Sequence, residues 1–251
     1  MLILLPPSET KRSGGTGAPL RTDTLALPQL AGRRDAVVDA LVALSADADA
    51  AARVLGLSAR QRPEVEVNAA LRTAATLPAM DRYTGVLYDA LDAVTLDARA
   101  RRWLGEHALI HSAPFGPVGA RDPIPAYRLA AGTSLPGLPA LRRHWAEAVT
   151  AALTALAPAF VLDLRSEAYA ALGPVPTGIP SAYVRVVADA GGGAVRALNH
   201  FNKRTKGLLA RELAEMRPRV RTLRGLRDWL RGSGHRLDEV NGEWLLHAAG
   251  D

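Results

Sequence analysis

The first five residues, Met1-Leu2-Ile3-Leu4-Leu5, are apolar throughout and stop at Pro6-Pro7. That run is too short to cross a membrane, and it lacks the basic flank and length of a secretory signal. A brief uninterrupted apolar run reads instead as a buried strand. Phe160-Val161-Leu162-Asp163-Leu164 reads the same way. Each of these core strands delivers the chain straight into polar residues, Ser8-Glu9-Thr10-Lys11 after the first and Arg165-Ser166-Glu167 after the second. Side chains that leave a sheet at its carboxyl edge stand where ligand crevices tend to form.

Around these strands the spacing of apolar residues predicts helices over 33–44, 64–75, 96–104 and 138–156, the last ending before Pro158. A strand over 107–112 opens into a proline- and glycine-rich loop, 113–125. A short helix over 167–172 and an alternating strand over 182–188 come next, and Gly191-Gly192-Gly193 turns the chain towards a partner strand near 195–198. Helices over 203–216 and 223–230 follow. Asn241-Gly242 between apolar segments predicts a C-terminal β-hairpin. Strands and helices alternate without a fixed repeat, which defines a mixed α/β (α+β) class: residues 1–251 as a single compact domain with a central mixed sheet and surrounding helices. The polar loop 8–23, with Ser13-Gly14-Gly15-Thr16-Gly17, is expected to be mobile unless a ligand or partner orders it.

The chain has no cysteine, which excludes a disulfide framework and thiolate metal sites and fits a reducing cytoplasm. No metal site is predicted from its six histidines, and any influence on iron is expected to be indirect. No P-loop, dinucleotide fingerprint or zinc-protease motif occurs, and no cofactor is implied. Oligomeric state is not legible.

Charge is unevenly placed. Between Arg196 and Arg236 twelve basic residues face three acids (Glu212, Glu215, Asp228), a surplus of nine within a chain of net +6. A concentrated basic region of this kind attracts polyanions. Only three of the 31 basic residues are lysine: Lys11, Lys203 and Lys206. Where arginine is so strongly preferred, a lysine marks a place suited to a compact ammonium, which makes these three the first candidates for a functional site.

Other candidates come from motifs. Ser8, Glu9, Thr10 and Lys11 supply hydroxyls, a possible base and an ammonium beyond the first strand. In Tyr83-Thr84-Gly85-Val86-Leu87-Tyr88, Tyr83 is expected to face a cleft, with stacking on a base and core packing both open. The long loop contributes Arg121, Tyr127 and Arg128; its Gly116-Pro117-Val118-Gly119 piece has a passing likeness to the glycine hairpin of helix-hairpin-helix modules, but the prolines at 114, 117, 123 and 125 prevent flanking helices, and a rigid active-site or binding loop is the better reading. Asp163 and Arg165 leave their strand on one side, able to pair or to hold an anion, while Ser166 is placed to cap the next helix and Tyr169 to line the crevice. On the basic helix, Lys203, Lys206 and Arg211 are expected to share one face, with Leu208, Leu209 and Leu213 turned to the core. Gly207 within that helix suggests a close approach to another backbone or a ligand.

Four segments, MLILLPPSETK, RYTGVLYDAL, HSAPFGPVGARDPIPAYRL and the pair VLDLRSEAY with NKRTKGLLAR, together resemble the peroxide stress protein YaaA family, in order along nearly the whole chain. The resemblance implies a bacterial cytoplasmic protein that helps cells survive hydrogen peroxide by limiting free iron and oxidative DNA damage. It also implies a mixed α/β fold of its own kind, with a positively charged cleft and a helix-hairpin-helix-like element linked to DNA. The family's commoner first motif reads Ser-Pro-Ala-Lys-Thr; here Pro6, Pro7, Ser8, Glu9 and Thr10 stand in those places and the lysine is displaced to Lys11.

Two readings follow. In one, the Lys203/Lys206/Arg211 helix and the arginines after it bind the phosphates of double-stranded or damaged DNA. In the other, Glu9, Lys11, Asp163, Tyr169, Lys203 and Lys206 form an enzyme pocket for a phosphorylated small molecule or nucleoside.

Overall fold

The computed structural model describes residues 1–190, 194–196, 199–240 and 243–247. In chain order its elements are β1 (Leu2–Leu5), α1 (Ala31–Leu44), α2 (Ala48–Leu55), α3 (Glu64–Ala69), β2 (Leu77–Pro78), α4 (Ala79–Arg82), α5 (Val86–Leu91), α6 (Ala98–His107), β3 (Ala108–Ser112), β4 (Gly116–Gly119) and β5 (Pro123–Ile124). The remainder comprises α7 (Leu141–Leu156), β6 (Val161–Asp163), α8 (Glu167–Ala170), β7 (Ser181–Ala190), β8 (Ala194–Arg196), α9 (Asn199–Met216), α10 (Leu223–Gly232), β9 (Arg236–Val240) and β10 (Glu243–His247).

The main sheet runs β4-β3-β1-β6-β7-β10-β9, and β8 pairs with β7. Strands β3, β1, β6, β7 and β10 are mutually parallel along this path, while β4, β8 and β9 pair antiparallel with their neighbours. The unbroken apolar character of β1 and β6 follows from this position, because a central parallel strand is covered on both faces. All four residues of β1 and all three of β6 are buried. The fold is thus mixed α/β, with the C-terminal strands paired antiparallel as the hairpin signal predicts; the turn residues 191–193 and 241–242 lie outside the described residues. Among the described residues no helix is long and apolar enough to cross a membrane.

Three expectations need correction. The helix predicted over 64–75 closes at Ala69 and gives way to turns, and near its end the Asn68 side chain exchanges hydrogen bonds of 2.8 Å with the backbone of Arg128. The Gly116–Gly119 piece, within the stretch read as loop, is β4, in register against β3. The polar loop after β1 is held by the chain itself, through bridges from Lys11 to Tyr83 and from Gly17 to Thr76.

Helices α5 and α9 pack against one another at Gly207. A Cβ at that position would overlap the carbonyl oxygen of Leu87 and lie 2.9 Å from the Cβ of Ala90, so only glycine permits the approach. Leu209 and Leu213 fill the core beneath, whereas Leu208, expected in the core, is 40% exposed because α9 is rotated to bring Gly207 onto α5. Gly207→Ala is expected to destabilise the fold by about 1–3 kcal/mol, the cost of forcing a methylene into packed backbone, read as a lowered urea midpoint with an unchanged slope.

Candidate functional site

The carboxyl ends of β1, β3 and β6 lie side by side, since Leu5 pairs with Ile110 and Leu4 with Asp163. The chain beyond β1 crosses this edge and meets the segment that follows α4. Arg12 N–H donates to the Arg82 carbonyl at 2.8 Å, Thr84 N–H to the Thr10 carbonyl at 3.1 Å, and the Tyr88 hydroxyl to the Pro6 carbonyl at 2.7 Å. Gly85 has a positive φ of 91° where the chain turns into α5, beside the hydroxyls of Ser8 and Thr10.

Lys11 is centred in this crossing. Its ammonium donates to the carbonyls of Ser8 (3.0 Å) and Glu9 (3.2 Å) and stands 4.0 Å from the centre of the Tyr127 ring and 5.6 Å from that of Tyr83. Burial pushes its pKa down to about 7, with the Arg128 and Arg82 charges adding to the effect and Glu64 and Glu9 opposing it. The two carbonyls and the Tyr127 face stabilise the charged form. Tyr83, expected to face a cleft, is buried instead, its hydroxyl 2.8 Å from that of Tyr127. Burial holds both phenols well above their ordinary range. Tyr169 is pushed up to about 12, first by burial and then by the Glu9 charge, and Glu9 pairs with Arg128 at 3.6 Å.

A groove of about 410 Å³ opens beside Lys11, walled by the turn at 12–14, by α3 with the residues that follow it, and by Ala126-Tyr127. Its polar residues include Arg12, Arg60, Glu9 and Glu64, and its apolar wall includes Val67, Ala70 and Ala74.

The remaining candidates divide. Asp163 and Arg165 form a buried bidentate pair, with Arg165 Nε 2.9 Å from Oδ1 and Nη2 2.6 Å from Oδ2. Arg165 also donates to the Gly173 carbonyl and to His111 Nδ1 at 2.8 Å, which fixes the histidine proton on Nε2. Burial, then the Arg165 charge, hold His111 neutral, its pKa well below the ordinary value. Arg165 is therefore spent on the protein. Ser166 sits at the N-cap of α8 without a capping hydrogen bond from its side chain. Arg121 lies over Gly105 of α6.

On α9, Lys203 is exposed and Lys206, three positions on, is buried. Lys206 lies near Asp163; burial lowers its pKa to about 8, Asp163 opposing and Arg185 reinforcing the shift. Arg211 is engaged with Glu215 (2.9 Å), Asp92 (3.6 Å) and the Thr95 hydroxyl (2.9 Å). The basic residues thus fall into separate places: Arg221 lies near the Met1 amino group, whose pKa it helps burial to lower, at the opposite end of β1 from Lys11.

Sequence reasoning missed Arg82. It is fully buried and donates to the carbonyls of Ile124, Arg12, Gly14 and Ala75, at 3.1, 2.6, 2.8 and 3.1 Å. Its one signal was its place at the head of RYTGVLYDAL, beside the apolar residues Ala79 and Met80. The groove residues Arg60 and Glu64 were also missed, since that stretch carried only a helical pattern.

A parallel-centred mixed sheet with a polar site over its carboxyl edge defines the class of this protein as an α/β protein with a strand-end crevice. The family model described as peroxide stress protein YaaA matches residues 1–240, and the chain belongs to that family. It is 46% identical over 246 residues to a UPF0246 protein of Corynebacterium efficiens, covering 96% of each chain. A UPF0246 protein of Streptomyces coelicolor is 46% identical over 215 residues, 85% of this chain and 82% of its own. One from Bordetella avium is 29% identical over 235 residues, 88% of each.

The Lys11 titration has a stability consequence. Its folded pKa near 7 lies below its ordinary value of 10.5, so between those pH values the unfolded chain binds the extra proton. Stability therefore rises with pH across that window and is level below it. Urea unfolding of the native chain and of Lys11→Met, from about pH 6 to pH 10, is expected to show the difference moving in favour of the native chain above about pH 7.

Proposed function

We propose that this member of the peroxide stress family holds DNA through the arginine face of α10 and thereby limits oxidative, iron-linked damage to the nucleic acid it covers. The observation that carries the reading is the placement of Arg224, Arg227 and Arg231 at i, i+3 and i+7, all exposed, while Leu226 and Leu230 are buried on the other side. Residues so spaced lie along one side of a helix. Arg217, Arg219 and Arg221, also exposed, extend the basic surface ahead of the helix.

The counter-charge on α10 is sparse. Asp228 stands 3.9 Å from Arg224 and 3.7 Å from Arg231, and Arg224 is 92% exposed. Exposed pairs of that length contribute little, so the guanidiniums remain available to phosphate. Arginine matches phosphate oxygens in pairs, and a row along a helix suits the backbone of a duplex without reading its sequence. Lys206 and Arg211 are left out of this surface, one buried near Asp163 and the other spent on neighbouring acids.

Replacing Arg224, Arg227 and Arg231 together with alanine is expected to weaken duplex DNA binding and to reduce the slope of log affinity against log salt by about 2–3, as three phosphate contacts vanish. Fluorescence anisotropy at several salt concentrations reads both quantities. A native chain whose affinity shows no salt slope, or a triple variant with an unaltered one, overturns the proposal.

A further inference from the structure

We propose that the groove beside Lys11 is a separate binding site for a nucleoside monophosphate, taking the phosphate at Lys11, Arg12 and Arg60 and the base against the alanine wall. It does not depend on the DNA reading, because it uses residues at the opposite end of β1 from Arg221.

Among the described residues neither Arg12 nor Arg60 makes an ion pair, although the chain is rich in arginine–carboxylate pairs elsewhere. Lys11 spends two N–H groups on the carbonyls of Ser8 and Glu9, and the third remains beside the groove and the Tyr127 ring. Three basic side chains against the two acids Glu9 and Glu64 leave the lining with a basic excess, which favours an anion, and charge-assisted contacts to phosphate are the strong kind.

Size and shape limit the rest of the ligand. A volume of about 410 Å³ falls in the range of small-molecule sites and excludes a duplex. Val67 on α3 and Ala70 and Ala74 in the turns that follow it line the groove together, and their short side chains leave a shallow apolar wall against which a flat ring can lie. Glu64 also lines the groove and makes no ion pair among the described residues; its carboxylate is an acceptor for the ring and amino N–H groups of a base. Glu9 is held by Arg128, which reduces its repulsion of a phosphate. The combination of phosphate, planar ring and N–H donors matches a mononucleotide, whereas inorganic phosphate leaves the wall empty and a nucleoside leaves the cations unpaired.

The test is thermal unfolding and saturation-transfer NMR of the full chain with AMP, GMP, CMP and UMP, with the corresponding nucleosides, inorganic phosphate and benzoate as further arms. At least one nucleotide is expected to raise Tm by about 2–4 °C at several times its Kd, and its nucleoside and phosphate to bind at least about tenfold more weakly. Lys11→Met is expected to weaken nucleotide binding about tenfold. Ala74→Phe, at the partly exposed wall, is expected to abolish it while the protein stays folded and still binds DNA. The Arg224/Arg227/Arg231 triple variant keeps full nucleotide affinity. Absence of any nucleotide effect overturns the proposal, as does equal binding of benzoate or phosphate, or binding that survives both Ala74→Phe and Lys11→Met.

Discussion

Irregular backbone laid over the edge of a sheet brings carbonyl groups out of water, and each one left without a donor costs about 1–3 kcal/mol. In this protein guanidinium groups supply those donors. Arg34, Arg82 and Arg165 are all fully buried. Arg34 donates to the carbonyls of Phe115, Thr22, Ala26 and Pro117, and Arg82 to four more. Burial lowers the pKa of Arg34 only to about 10, so it remains charged at neutral pH. A planar, permanently charged fork reaches several loop carbonyls at once, which a single ammonium cannot do. The turn that walls the groove is held by Arg82, the start of β4 by Arg34 and the end of β6 by Arg165.

The lysines serve where the fork does not fit. Lys11 occupies a space bounded by two carbonyls and two phenol rings, and a point charge on a flexible stem enters it. Lys206 is likewise buried, near an aspartate already committed to Arg165. Lys203, exposed on the same helix, shares neither situation. Scarcity of lysine therefore selects two desolvated positions and one solvated one.

How much was legible in the sequence depended on the range of the interaction. The strands β1 and β6, the helices α1, α7, α9 and α10 and the pairing of β9 with β10 follow from local apolar patterns, and their bounds differ from the expected ones by a few residues. The bond from Asn68 to residue 128 did not follow, because the two lie sixty positions apart. Gly207 signalled a close approach, yet the partner, α5, lies more than a hundred residues earlier. Arg82 looks like any surface arginine until the four carbonyls it serves are assembled around it. The groove was least visible, since an alanine-rich turn has no chemical signature of its own.

The order of strands has a consequence for how the chain is made. Strand β7 takes β6 as one neighbour and β10 as the other, and β10 lies between β7 and β9. Its partner on that side thus leaves the ribosome some fifty positions after β7 itself. Throughout that interval the nascent sheet carries an open parallel edge, the kind of surface on which chains associate wrongly. Synthesis of the C-terminal hairpin is what closes it, so a product truncated before Glu243 retains most of its core while exposing a strand template to its neighbours.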